Sequence, residues 1–166
     1  LRSYRIVSKL YPFIPSMSLW RSWEHAAFQG IRLHEPVLDL GCGNGHFFKL
    51  LWPNVAHVTG LDADSKAIVG AAASGSYPQV VRANGNGLPF SPNSFSSVFA
   101  NCSLEHMTDL TAVIREVHRV LRKDGSFAFS VVTDKLLEWS SIPKIAKAIG
   151  CDEGKIRQIQ EDYKAY

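Results

Sequence analysis

Between Asp39 and Gly45 the chain reads Asp-Leu-Gly-Cys-Gly-Asn-Gly, three glycines at alternate positions behind a carboxylate. Glycines let a turn bend tightly and let a ligand approach the backbone. The spacing here is G-x-G-x-G. The dinucleotide fingerprint is G-x-G-x-x-G, which seats a pyrophosphate on a helix N-terminus. A third glycine one residue early, with Asp39 ahead of the first, favours a zwitterionic amino-acid ligand. Asp39 can accept hydrogen bonds from its ammonium group, directly or through water. Asp62 stands 17 residues beyond Gly45, where a carboxylate can hold both hydroxyls of a ribose. The plain alternatives are a tight turn without a ligand and, for Asp62, a charge at a helix start. Asp64 suits that second role better.

Glu105 and His106 are the candidate general bases; their alternative role is capping and packing at the start of the next helix. His46 could approach the same ligand, although an exposed helix-start residue is the plainer reading. No metal site is expected. Cys42, Cys102 and Cys151 have no C-x-x-C spacing, and His25, His34, His57 and His118 have no ligand-like partners in sequence. Free thiols are expected.

These groups need a scaffold. The chain has 166 residues, enough for one ordinary domain, and 46% of them are apolar. The net charge of +3 is too weak to mark a nucleic-acid binder. The basic excess lies in residues 1–34, with Arg2, Arg5, Lys9, Arg21 and Arg32 against Glu24 alone. No apolar run approaches a membrane span, no secretory leader is legible, and a cytoplasmic location is the expectation.

The middle of the chain alternates strands and helices. Strands are expected at Val37–Leu40, Ala56–Leu61, Gln79–Arg82, Ser97–Ala100 and Ser126–Thr133. Helices are expected at His46–Trp52, from a Ser65 cap to Ala73, and at Leu110–Leu121. In the last of these, Leu110, Val113, Ile114, Val117, Val120 and Leu121 would form one apolar face. Thr108 or Asp109 would cap it, Arg119, Arg122 and Lys123 would complement its dipole, and Gly125 would stop it. Such alternation gives an α/β fold, a parallel sheet with helices on both faces. Ligands then bind at the carboxyl ends of the strands.

With the scaffold in view, the motifs acquire a family resemblance. Val37–Gly45 resembles the first motif of class I S-adenosylmethionine-dependent methyltransferases, and Gly60-Leu61-Asp62-Ala63 resembles the second. Leu88-Pro89-Phe90-Ser91-Pro92-Asn93-Ser94-Phe95 resembles a stretch of the UbiE-like subgroup. So do Ser103-Leu104-Glu105-His106 and Arg119–Gly125. The match runs from about Pro36 to Thr133.

The resemblance implies a Rossmann-like doubly wound sheet in the order 3-2-1-4-5. It implies S-adenosylmethionine as cofactor, S-adenosylhomocysteine as product, and binding by Asp39, Gly41, Cys42, Gly43, Gly45, Asp62, Ala63, Asn84, Gly85, Asn101 and Ser103. At the position of Asn84 the family usually has an aspartate for the adenine amine; the asparagine carbonyl can accept the same bond. Phe95-Ser96 and Lys123-Asp124-Gly125-Ser126 also depart from the family pattern, in places that look structural.

The expected organisation is a helical arm at 1–34, the cofactor domain at 35–134, and a helical lid or insertion at 135–166, with helices around Lys144–Ala148 and Glu153–Tyr163. The chain begins at Leu1, and nothing after Thr133 reads as the family's last two strands. An incomplete domain is therefore expected, or a partner, such as a second copy, covering the edge strand.

The expected reaction is methyl transfer to a small molecule, at oxygen or carbon rather than nitrogen. Asn101-Cys102 is not the Pro-Cys of cytosine-C5 enzymes, and no Asn-Pro-Pro-aromatic segment follows strand four. Tyr11, Trp20 and Trp23 are candidates to line the acceptor pocket, with core packing as the alternative. The competing functions are a module that binds S-adenosylmethionine or S-adenosylhomocysteine without catalysis, and, further off, a nicotinamide-dependent oxidoreductase.

Overall fold

Strand β1, Val37–Leu40, is buried along its whole length because the sheet is covered on both faces. In this computed structural model, residues 2–132, 150 and 152–154 are described. The chain divides into a unit at Leu1–Val131 and another at Val132–Tyr166. The helix expected around Lys144–Ala148, and all but the start of the one at Glu153–Tyr163, lie outside the described residues.

Beside β1 lie β2 (Val58–Asp62), β3 (Gln79–Arg82), β4 (Phe95–Asn101) and β5 (Leu121–Ser130). All pairs are parallel and the order is β3-β2-β1-β4-β5. This is the Rossmann-like arrangement, with the strand order reversing beside β1 and opening a crevice at its carboxyl end. The register aligns Leu40 with Leu61 and Asp39 with Phe99, so the β1, β2 and β4 ends come together.

Among the described residues the α-helices are α1 (Arg2–Val7), α2 (Pro15–Phe28), α3 (His46–Leu51), α4 (Ser65–Ser74) and α5 (Leu110–Val120). Pro15 opens α2, where its missing N–H costs nothing. Asp64 caps α4 by accepting from the Lys66 N–H, so Ser65 is the first helical residue rather than the expected cap. Gly75 ends α4 in the left-handed conformation. Asp109 caps α5 through the Ala112 N–H.

The sheet separates two cores. On one face Leu38, Leu40, Leu61 and Val98 meet Val113, Val117 and Val120 of α5. On the other, Val37, Val58 and Phe99 meet Phe28 of α2, Phe48 of α3 and Tyr77. Phe99 is the hub there, with edge-on contacts to Phe28 and Trp52 at 5.0 and 4.8 Å between ring centres. The arm is thereby joined to the sheet.

The expected apolar face of α5 is too wide. Leu110 and Ile114 are exposed, and Leu121 belongs to β5. The helix ends at Val120, not at Gly125, because Leu121 is already extended. Arg122–Gly125 instead form an irregularity within β5: Phe95 pairs with Leu121, but Ser97 pairs with Ser126. Arg119 is used for more than the dipole. It pairs with Glu116 and donates to the carbonyls of Phe90 and Leu88 at 2.7 and 2.9 Å. Glu116 accepts from the Leu88 N–H. The Leu88–Phe95 stretch is thus a segment stapled to α5.

Candidate cofactor cleft

The carboxyl ends of β1, β2 and β4 enclose a cleft of about 390 Å³, within the range that holds small ligands and cofactors. Of the proposed cofactor-binding and catalytic residues, Gly41, Asp62, Ala63, Asn84, Gly85, Ser103 and His106 line it, and Cys102 stands among them. Asp39, Cys42, Gly43, Gly45, Asn101 and Glu105 are not among its lining.

The glycine loop is shaped by its glycines. Gly41, Gly43 and Gly45 have φ of +76°, +54° and +78°, which other residues adopt only at a cost. Gly41 and Cys42 both donate to the Leu61 carbonyl, at 2.8 and 3.0 Å, turning the chain back over β2. A Cβ on Gly41 would stand 2.3 Å from Ser103 Cβ. One on Gly45 would stand 2.3 Å from the Tyr77 ring. At Gly43 there is open space where a Cβ would stand.

Asp62 is held beside this loop. Its Oδ2 accepts from the Gly43 N–H at 3.0 Å, and its Oδ1 from the Asp64 N–H at 2.9 Å. A carboxylate oxygen has two lone pairs, so each retains capacity for a hydroxyl. Apolar groups complete that side of the cleft, Ala83, Met107 and Val113 among them, next to the Asn84 amide. A Cβ on Gly85 would meet Met107 Sδ at 2.9 Å. Carboxylate, amide and apolar wall together fit a nucleoside.

Asp39, the expected acceptor for an ammonium group directly or through water, is buried and does not line the cleft. Alternation along β1 turns Leu38 and Leu40 to one face and Asp39 away from them, beneath the glycine loop. Its carboxyl is buried and accepts from Tyr77 Oη at 2.5 Å. Burial raises its pKa to about 7, with the Asp62 charge adding and the Tyr77 bond opposing. The Tyr77 hydroxyl is itself pushed up, by burial first and then by Asp39. Sequence reasoning missed Tyr77, because a tyrosine between Ser76 and Pro78 carries no signal of a partner 38 residues away. Cys42 is buried in the Phe99 core, and burial raises its thiol.

His106 ends a 3-10 turn, Leu104–His106, and is exposed on the cleft wall. Glu105 lies in the same turn outside the lining. His46 is exposed at the start of α3. Tyr11, Trp20 and Trp23 do not line the cleft. Asn101 instead joins Arg21, Glu24, Cys102 and Ser130 in a polar cluster beneath α2. Among the described residues no group of three or more His, Cys, Asp or Glu could hold a metal ion. Nor, among them, is any helix long and apolar enough to cross a membrane.

Residues 38–129 match the family model of a methyltransferase domain. The chain is 28% identical to the ubiquinone/menaquinone biosynthesis C-methyltransferase UbiE of Rhizobium rhizogenes, over 92% of this chain and 68% of that protein. It is 32% identical to the malonyl-[acyl-carrier protein] O-methyltransferase of Erwinia billingiae, over 71% of this chain and 47% of that one. Among solved structures it resembles an S-adenosylmethionine dependent methyltransferase from Mesorhizobium loti, with 27% identity and a TM-score of 0.58, covering 70% of this chain and 56% of that one. The chain spans about half the length of the curated relatives it matches.

Proposed function

Because the chain belongs to the methyltransferase-domain family, we propose that it binds S-adenosylmethionine in this cleft and directs the methyl group to a small-molecule acceptor, at oxygen or carbon. One observation carries the reading most: Asp62, fixed between the Gly43 and Asp64 amides at the edge of the cleft. A carboxylate held this way is preorganised to accept both ribose hydroxyls. Asn84 would accept from the adenine amine through its carbonyl, against the apolar wall of Met107 and Val113. Gly41, Gly43 and the Ser103 turn would bound the amino-acid end. Asp39 would act there through its buried charge rather than by contact.

The bound sulfonium supplies an already activated methyl group. The chain's own task is to orient an acceptor atom in line with it, about 3 Å away, and to exclude misaligned poses. His106 would remove a proton from a hydroxyl or acidic carbon, with Glu105 as the less favoured candidate. The acceptor class draws support from the relatives' names, one an O- and one a C-methyltransferase.

Isothermal titration with S-adenosylhomocysteine tests cofactor binding, and a labelled-methyl assay across an extract tests turnover. Binding without labelled product would favour a cofactor-binding module, a reading that Asn84, in place of the family's aspartate, keeps open.

A further inference from the structure

The turn after β4 is held by residues from outside it. Cys102 has φ of +45°, a left-handed conformation that is costly for a side chain of this kind. Long-range hydrogen bonds hold it there, the pair Cys102 Sγ and Ser130 Oγ at 3.6 Å among them. The Cys102 N–H donates to both the carbonyl and the hydroxyl of Ser130, at 3.1 and 3.2 Å. The thiol donates to Glu24 Oε1 at 2.8 Å. Burial, then the Glu24 bond, pushes the thiol up to about 12, so it remains a donor.

Glu24 belongs to α2 and is itself buried. Its Oε2 accepts from Arg21 at 2.8 Å, and the Arg21 guanidinium lies 5.2 Å from the centre of the Phe47 ring on α3. With its nitrogen turned toward Glu24, the Asn101 amide donates to Oε1 at 3.2 Å and to Ser130 Oγ at 2.8 Å, while its oxygen accepts from Arg21. The next residue after Cys102 reaches the cofactor loop. Ser103 Oγ donates to the Leu40 carbonyl at 2.8 Å, and its side chain fills the space where a Cβ on Gly41 would stand. Contacts thus run without a gap from Glu24 through Cys102 and Ser103 to Gly41.

We propose that Glu24 is a positioning residue for the cofactor cleft: it holds the Cys102 turn, and through Ser103 the Gly41 loop, in the binding shape, so that the N-terminal arm sets cofactor affinity. The proposal rests on the methyltransferase reading for its ligand but not for its geometry.

The test is a cycle in the full chain with Glu24→Ala, Cys102→Gly and the double variant. Glycine adopts the left-handed turn without help, so it removes the need for Glu24. S-adenosylhomocysteine affinity is read by calorimetry, and amide hydrogen exchange over residues 39–45 is read without ligand. Glu24→Ala is expected to weaken binding about tenfold and to speed exchange in the loop. Cys102→Gly alone should stay within about threefold, and adding Glu24→Ala to it should cost less than about twofold more. A residue that merely anchors the arm would cost the same in both backgrounds, and that result overturns the proposal. So does a Glu24→Ala protein with unchanged affinity and exchange.

If Glu24→Ala does not fold, Cys102→Ala and Cys102→Ser replace it. Alanine should weaken binding several-fold while serine, still a donor, stays within about twofold; equal effects overturn the proposal. If the unaltered chain binds no S-adenosylhomocysteine, the methyltransferase reading fails. Exchange alone then decides the positioning role: loop exchange that quickens in Glu24→Ala but not in the double variant sustains it, and equal rates overturn it.

Discussion

The loops after β1 and β4 meet where Gly41 lies against Ser103, and they keep their shapes by different means. The first carries its left-handed residues as glycines, at positions 41, 43 and 45. Its conformation is written into the local sequence. The second places Cys102 in the same region of backbone space, and long-range bonds to Ser130 and Glu24 hold it. The first loop is a local device; the second depends on an arm 78 residues earlier in the chain. A motif search finds the one and cannot find the other.

The largest expected effect breaks the local loop. Gly41→Ala combines a φ of +76° with a Cβ 2.3 Å from Ser103. Overpacking and left-handed strain together predict a loss of about 3 kcal/mol in urea unfolding. S-adenosylhomocysteine binding should be lost with it. Next comes Asp62→Ala, which removes the acceptor from the Gly43 and Asp64 amides and from the proposed ribose site. Calorimetry should show about 10- to 100-fold weaker binding, with a smaller change in stability.

Asp39→Asn should act through stability and pH. The folded pKa of about 7 exceeds the ordinary aspartate value of 3.8. The folded chain therefore keeps a proton that the unfolded chain releases. The resulting stability is fully present below about pH 4 and is lost as pH rises through about 7. Asparagine keeps an oxygen for Tyr77 without the buried charge. Denaturant melts should show the variant more stable at pH 8, on the order of 1 kcal/mol, with no gain at pH 4. The smallest effect is at Gly43→Ala, where there is space for the Cβ and only the φ of +54° opposes it. It should cost about 1 kcal/mol, clearly less than Gly41→Ala.

The same division accounts for what the sequence made legible. Short apolar runs ending in glycine or aspartate located β1 and β2 to within two residues, β3 was read at its observed bounds, and the family resemblance carried the strand order. Asp62, Ala63, Asn84 and Gly85 were legible because each ends or follows a strand, and strand ends line the cleft. The burial of Asp39 was not legible because strand alternation, not motif position, decides which way its carboxyl points. Tyr77 and Glu24 were invisible as partners because they meet Asp39 and Cys102 only after the chain folds. The α5 boundary failed for a related reason. Helical periodicity continues through Leu121, but pairing with Phe95 draws that residue into β5.

Titration of the full chain with S-adenosylhomocysteine, set beside NADH, tests the central claim most directly. The cleft described here predicts saturable S-adenosylhomocysteine binding that Asp62→Ala weakens by at least about tenfold, and no NADH binding. No S-adenosylhomocysteine binding at millimolar ligand, or NADH binding that depends on Asp62, would contradict it.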